Sequence, residues 1–254
     1  MESRSHLWFA SMLSAGRTLT RGLVHLLYPN ICWVCGQDLP EDESDFCLTC
    51  RSALTTDPHP TCPRCSSSVG PYTNLEDGCN QCRNESFGFD RVLRLGPYEG
   101  LLREVILRLK NWHGEGLAEV VGKVWARHAE EKFRAEKPDV VVPVPLHWRK
   151  QWQRGYNQSQ ALARALAGHL HLPCRPRWLR RIRFTPQQTA QAPSARRGNV
   201  RGAFRARQAL NLDGKTILLV DDVLTTGSTA SEAARALRSA RPARIVVAVL
   251  AHGS

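Results

Sequence analysis

From about residue 90 onward the chain alternates short apolar runs with amphipathic stretches. Val92 to Leu95, Asp139 to Pro143, Thr216 to Val220 and Arg244 to Leu250 are rich in Val, Ile and Leu and do not alternate with polar residues, which predicts strands buried on both faces. Between them the apolar positions fall at helical spacing, around Leu101 to Lys110, Leu117 to Phe133, Ser159 to Leu170 and Ser228 to Leu237. In the third of these, Leu162, Ala163, Leu166 and Leu170 share one face. Pro138 closes the segment before the second strand. Strands and helices in alternation predict an α/β domain, a parallel sheet flanked by helices, over residues 90–254.

The first 28 residues read differently. Trp8, Met12, Leu19, Leu23, Leu26 and Leu27 fall near one face of an amphipathic helix over Leu7 to Tyr28. The segment carries Arg17 and Arg21 and is broken by Ser11, Ser14 and Gly16, so it lacks the compact apolar core of an export signal. No apolar stretch reaches the roughly 18 residues that span a bilayer. A cytoplasmic protein is expected. At 254 residues, 42% hydrophobic, with a mean hydropathy of -0.35, the chain is long enough for one α/β domain and a small appendage.

That appendage, residues 29–84, is set by cysteine. Eight of the nine cysteines form four CxxC pairs, Cys32/Cys35, Cys47/Cys50, Cys62/Cys65 and Cys79/Cys82. Two CxxC knuckles separated by a turn supply four thiolates to a tetrahedral zinc, and two such sets in a row read as a double zinc ribbon. The region is too small and polar to fold on its own core, so metal binding would supply its folding energy. A disulfide framework would want an export signal, and a redox CxxC would be redundant in four copies. Sequential pairing is favoured, with Cys32, Cys35, Cys47 and Cys50 on one ion and Cys62, Cys65, Cys79 and Cys82 on the other; an interleaved pairing uses the same eight ligands. Cys174, beside Leu172 and Pro173, reads as an inert small apolar residue.

The chemistry concentrates in Ile217 to Thr229, ILLVDDVLTTGST. An apolar strand delivers Asp221 and Asp222 into a loop of Thr225, Thr226, Gly227, Ser228 and Thr229, with Ser228 in an N-cap position before the next helix. A phosphate there would meet backbone N–H groups and the positive end of the helix dipole, Gly227 would let the backbone approach it, and four hydroxyls would add donors. The carboxylates stand at the C-terminal end of a sheet strand, where open α/β sheets bind ligands, and would accept hydrogen bonds from vicinal ribose hydroxyls. A helix cap needs one hydroxyl, and gives no reason for paired acids.

This block resembles the signature of type I phosphoribosyltransferases for 5-phosphoribosyl-1-pyrophosphate (PRPP). Two more segments extend the likeness. PVPLHWRKQWQRGYNQ, Pro143 to Gln158, looks like the loop that receives pyrophosphate, running into the RGxNQ helix start of ComF/GntX-like proteins. RFTPQQTAQAPSARRGNVRGAF, Arg183 to Phe204, resembles that family's catalytic hood loop, with Thr185, Gln188, Arg196, Asn199 and Phe204 at matching places. The family often has a glutamate shortly after the NQ pair, near which Gln160 stands here, and usually a leucine where Ala192 stands. With the CxxC pairs, the likeness covers nearly the whole chain.

The resemblance implies displacement of pyrophosphate from the anomeric carbon of PRPP by a nitrogen nucleophile, with magnesium near Asp221 and Asp222, and with Arg149, Lys150 and Arg154 neutralising the leaving group. No residue stands out as a base for the acceptor. It also implies a link to DNA uptake, natural transformation or DNA utilisation, with other DNA-uptake proteins as partners.

Charge raises a second reading. The whole chain carries a formal net charge of +12, yet residues 1 to 83 hold only 6 of the 35 basic and 9 of the 23 acidic side chains. Between Asp139 and Asp213 there is no acid and there are 14 basic residues, among them Arg177, Arg180 and Arg181, interleaved with Trp148, Trp152, Tyr156, Trp178 and Phe184. One PRPP needs few of these. The surplus suits single-stranded DNA, with arginines tracking phosphates and rings stacking on bases, or a solvated arginine-rich surface. The alternative to a transferase is thus a nucleic-acid-binding adaptor that keeps a PRPP-type pocket without transferase activity.

Overall fold

The computed structural model describes residues 30–40, 43, 45–184 and 200–253. The N-terminal helix expected over Leu7 to Tyr28 lies outside them. Two compact units make up the chain, Met1–Arg51 and Ser52–Ser254.

In the first unit, the antiparallel Ile31–Asp38 bridge and the hydrogen bond from Trp33 N to Asp45 O at 3.0 Å tie the described residues together. A short helix, α1 (Leu48–Thr55), starts there and runs past the boundary.

The second unit is built on four parallel strands in the order β1 (Arg91–Pro97), β6 (Arg244–His252), β5 (Thr216–Leu224), β2 (Val140–Pro143). From Ile245 to Ala251 every residue of β6 is buried, as are Ile217 to Val220 of β5, because helices cover both faces and neither face can carry polar side chains. On one face the core gathers Val142, Ile217, Leu219, Val247 and Val249 with Ala230, Ala233, Ala234 and Leu237 of α7 (Ser228–Arg238). On the other lie α3 (Glu115–His128) and α6 (Gln158–Leu170), which approach so closely that a Cβ on Gly122 would come 2.7 Å from that of Ala165. A helix α2 (Gly100–Arg108) follows β1, and a small hairpin pairs β3 (Leu179–Arg181) with β4 (Phe204–Ala206).

Three features depart from the sequence pattern. The helix expected over Leu117 to Phe133 is two, α3 and α4 (Glu130–Ala135), separated at Ala129, so that Phe133 can turn in against Trp125 with ring centroids 5.4 Å apart. The apolar run that ends at Val220 continues as β5 to Leu224, paired with β6 as far as His252, so Asp221 and Asp222 lie within the strand, two residues before its end. Trp148–Arg154 forms a helix of its own, α5, ended by Gly155 in the left-handed region at φ 76°.

The remaining cysteine finds a place in the sheet. Cys174 pairs beside Val141 through the hydrogen bonds Val141 N to Pro173 O and Arg175 N to Val141 O, extending the edge of β2. Burial raises its thiol pKa, which suits an unreactive residue.

Candidate functional site

The carboxylates of Asp221 and Asp222 are buried at the end of β5, 9% and 8% exposed. A buried acid pair needs donors, and two other elements bring them. The start of α6 is fixed by Asn157, whose side chain caps Ser159 N at 3.2 Å and donates to Val144 O at 3.1 Å. That cap aims the first turn of α6 at β5. Ser159 Oγ donates to Asp221 Oδ1 at 2.8 Å, and Gln158 Nε2 reaches Asp222 Oδ2 at 3.4 Å. From the end of α2, Lys110 Nζ lies 3.4 Å from the same Asp222 oxygen. Burial, reinforced by Asp222 next to it, pushes the Asp221 carboxyl up to about 8, against the opposing hydrogen bonds from Ser159 and from Asp222 N.

A basic wall faces the acids. Burial lowers the Lys150 ammonium, and the positive charges of Arg181, Arg154 and Lys110 lower it further, while Asp222 opposes them. Arg154 Nη1 donates to Gln158 Oε1 at 3.2 Å. Arg181 is held low by burial and supported by Asp221, with its guanidinium 5.3 Å over the Phe204 ring. It therefore stands with the acid pair, apart from the exposed Arg177 and Arg180 with which its sequence position grouped it. Arg149 is exposed on α5.

The small-residue loop follows at once. Gly227, at φ 72°, is the N-cap of α7, so the capping position falls one residue before Ser228, where the sequence pattern put it. Thr226 and Ser228 bond each other through their hydroxyls at 2.8 Å. The first turn of α7 presents backbone N–H groups that no helical carbonyl can accept, at the positive end of an 11-residue helix. Beneath the loop, Phe87 stacks on Phe89 at 4.6 Å, and a Cβ on Gly227 would meet its ring at 3.1 Å. Of the expected hood residues, Thr185, Gln188, Arg196 and Asn199 lie outside the described residues.

Cysteine geometry supplies the metal centres. Cys32, Cys35, Cys47 and Cys50 gather in one cluster and Cys62, Cys65, Cys79 and Cys82 in another, the Sγ atoms of each all within 4.8 Å of one another. The grouping is sequential. The sulfur separations are 3.8 Å for Cys35–Cys47, 3.7 Å for Cys62–Cys82 and 3.5 Å for Cys65–Cys79. A tetrahedron with Zn–S bonds of about 2.3 Å has edges of about 3.8 Å, so both donor sets fit structural zinc. Burial opposes a thiolate at Cys32 and Cys62, but backbone N–H groups led by those of Cys35 and Cys65 outweigh it and bring the thiols down to about 6 and about 7.

The second cluster shares its unit with the sheet. Ser67 Oγ lies 3.1 Å from Cys65 Sγ and 3.3 Å from Nε2 of His252, the last residue of β6. Arg64 donates to Cys82 O at 2.8 Å and to Glu85 O at 2.5 Å. The chain then runs through Phe87 and straps α7, with Gly88 N donating to Ser231 Oγ at 2.9 Å. The last cysteine of this cluster, Cys82, is thus five residues from Phe87, whose ring lies against Gly227 of the small-residue loop.

Comparison with known proteins agrees with this arrangement. Residues 117–254 match the model of the phosphoribosyl transferase domain, and residues 23–85 that of the double zinc ribbon domain. The chain is 31% identical to DNA utilization protein YhgH of Escherichia coli K12 over 210 residues, covering 82% of this chain and 90% of that one. The chain belongs to the ComF-like family of phosphoribosyltransferase-domain proteins. Two further relatives are Competence protein F of Haemophilus influenzae, 29% identical over 79% of this chain and 87% of that one, and Competence protein ComFC of Bacillus subtilis, 25% identical over 82% and 87%. Among the described residues no helix is long and apolar enough to cross a membrane.

Sequence reasoning named the acids and the loop but missed their supports. Lys110 carries no signal, because a cation near the end of a helix looks like surface, and the sequence groups Arg181 with the DNA candidates Arg177 and Arg180 instead of with Asp221. Ser159 was visible only as the residue after the NQ pair.

Proposed function

We propose that this protein binds PRPP with magnesium at Asp221, Asp222 and the Thr225–Thr229 loop, and acts as a phosphoribosyltransferase serving DNA uptake, natural transformation or DNA utilisation. The observation that carries this is the buried acid pair, held by Ser159, Gln158 and Lys110 directly before a helix N-terminus lined with hydroxyls. A purely structural strand end would not retain two adjacent buried carboxylates, since each costs desolvation that apolar residues avoid.

In this reading the loop amides and hydroxyls hold the 5′-phosphate, and the two carboxylates accept the ribose 2′- and 3′-hydroxyls. Fixing the ribose at both ends exposes the anomeric carbon on the side of Lys150, Arg154 and Arg149, which take up the charge of the departing pyrophosphate. Magnesium, when bound with PRPP, neutralises pyrophosphate, and the oxygen pair fits a hard cation: the Lys110 ammonium already stands against Asp222 Oδ2. Thr185, Gln188, Arg196 and Asn199, on the hood segment, would exclude water, which competes with the acceptor for the same carbon. Pyrophosphate release from PRPP, followed by phosphorus NMR with a panel of nitrogen acceptors, tests this. Release that depends on one acceptor class supports transfer; no release with any supports the adaptor alternative.

A second reading, single-stranded DNA binding, is favoured by the exposure of Arg149, Arg175, Arg177, Arg180, Arg183, Arg201, Arg205 and Arg207 within a stretch that holds no acid. The names of the relatives, which speak of DNA utilisation and competence, support it.

A further inference from the structure

Three tryptophans of the sheet unit stand exposed. Trp112, Trp148 and Trp152 are 61%, 64% and 80% exposed, while Trp125 is fully buried. They come from separate parts of the chain, Trp112 after α2 and the other two on α5, yet with Gln151, Gln153 and Gly155 they line one open cleft of about 950 Å³. The Trp112 ring lies 3.6 Å from where a Cβ on Gly155 would project, so the turn that ends α5 leaves that ring uncovered. Apolar rings of this size exposed together mark a binding surface.

We infer that this cleft stacks the unpaired bases of a single-stranded nucleic acid; the inference rests on the DNA-binding reading above and gives it a location. Charge decides the occupant. Every charged residue of α5 is a cation, Arg149, Lys150 and Arg154, and Arg149 lies 5.3 Å over the Trp148 ring and 5.7 Å over that of exposed Phe184. Flat π faces next to cations, with two glutamine amides able to bond base edges, match a chain that offers rings and phosphates in alternation. The other aromatics of the stretch do not contribute, because Tyr156 is buried with its hydroxyl on Leu109 O and Trp178 packs against the core. Two residues before Trp112, Lys110 reaches Asp222, so one short stretch of chain carries both a ring of the cleft and a partner of the acid pair.

The test is fluorescence anisotropy with a thymidine oligonucleotide of about 20 nucleotides and an abasic strand of equal length, on the wild type and on Trp148→Ala/Trp152→Ala, Trp112→Ala and Trp152→Phe. Both alanine variants are expected to bind the thymidine strand about tenfold more weakly with an unchanged salt slope, while Trp152→Phe keeps most of the affinity. The abasic strand is expected to bind wild type and variants alike. If the wild type binds the thymidine strand and the alanine variants bind it equally well, the cleft is overturned and the arginine surface alone carries DNA, leaving the tryptophans to a protein partner. If the wild type does not bind at low salt, the DNA reading itself falls, and the cleft with it.

Discussion

Ser159 Oγ donates a 2.8 Å hydrogen bond to Asp221 Oδ1, joining the first turn of α6 to the end of β5. The same oxygen accepts Asp222 N at 2.9 Å. Losing one donor to a buried acid costs about 1–3 kcal/mol. Ser159→Ala is therefore expected to destabilise the fold by roughly that amount and to weaken PRPP binding several-fold by releasing the acid from its set orientation. Urea denaturation and calorimetry read the two effects; an unchanged PRPP affinity would make Ser159 a packing residue only.

The two cysteine clusters predict different consequences of metal loss. Wild type is expected to hold two zinc ions per chain, and Cys174→Ala to keep both. Cys32→Ser and Cys62→Ser should each lose one, but only Cys62→Ser should lower the melting temperature of the sheet unit, because its cluster bonds through Ser67 to His252 and leads directly into Phe87. Metal analysis with calorimetric melting checks this. Equal melting of the two variants would contradict it.

How much of this was legible beforehand follows from the range of each interaction. The strands of the sheet and the acids of β5 were written in apolar runs and adjacent residues, which are local signals. The cysteine clusters were equally plain, since CxxC spacing is set by one metal. The break at Ala129 was hidden, because helical periodicity passes smoothly through a site where Phe133 turns toward Trp125 for tertiary reasons. Lys110, the place of Arg181 beside Asp221 and the Phe87 ring under Gly227 were unreadable, as each meets its partner across at least 40 residues of chain.

His252 predicts a pH dependence. Burial, with the positive charge of Arg94, depresses its imidazole to about 4. Its ordinary value is near 6.5, so the unfolded chain takes up a proton that the folded chain refuses. The histidine's contribution to stability is present above pH 6.5 and is lost as pH falls from there through 4, by about 3 kcal/mol in all. His252→Gln, which stays neutral, should lose stability less steeply over that window in urea denaturation. Parallel profiles for the two proteins would refute the assignment.

The arginines divide by position. Neutralising Arg177 and Arg180, both exposed, is expected to weaken single-stranded DNA binding, flatten its salt slope by about two and spare PRPP. Arg181→Gln, beside Asp221, should instead weaken PRPP binding. Anisotropy at several salt concentrations and calorimetry separate the two; a PRPP defect in the Arg177/Arg180 variant would contradict the division.

Calorimetric titration of PRPP with magnesium into wild type and into Asp221→Asn/Asp222→Asn tests the central claim. The substitutions keep the size of both side chains and leave the buried run Ile217 to Val220 intact, so the variant should fold. Saturable binding to the wild type and none to the folded variant is the expected result. Equal affinity in the two proteins, or no binding to the wild type, would contradict it.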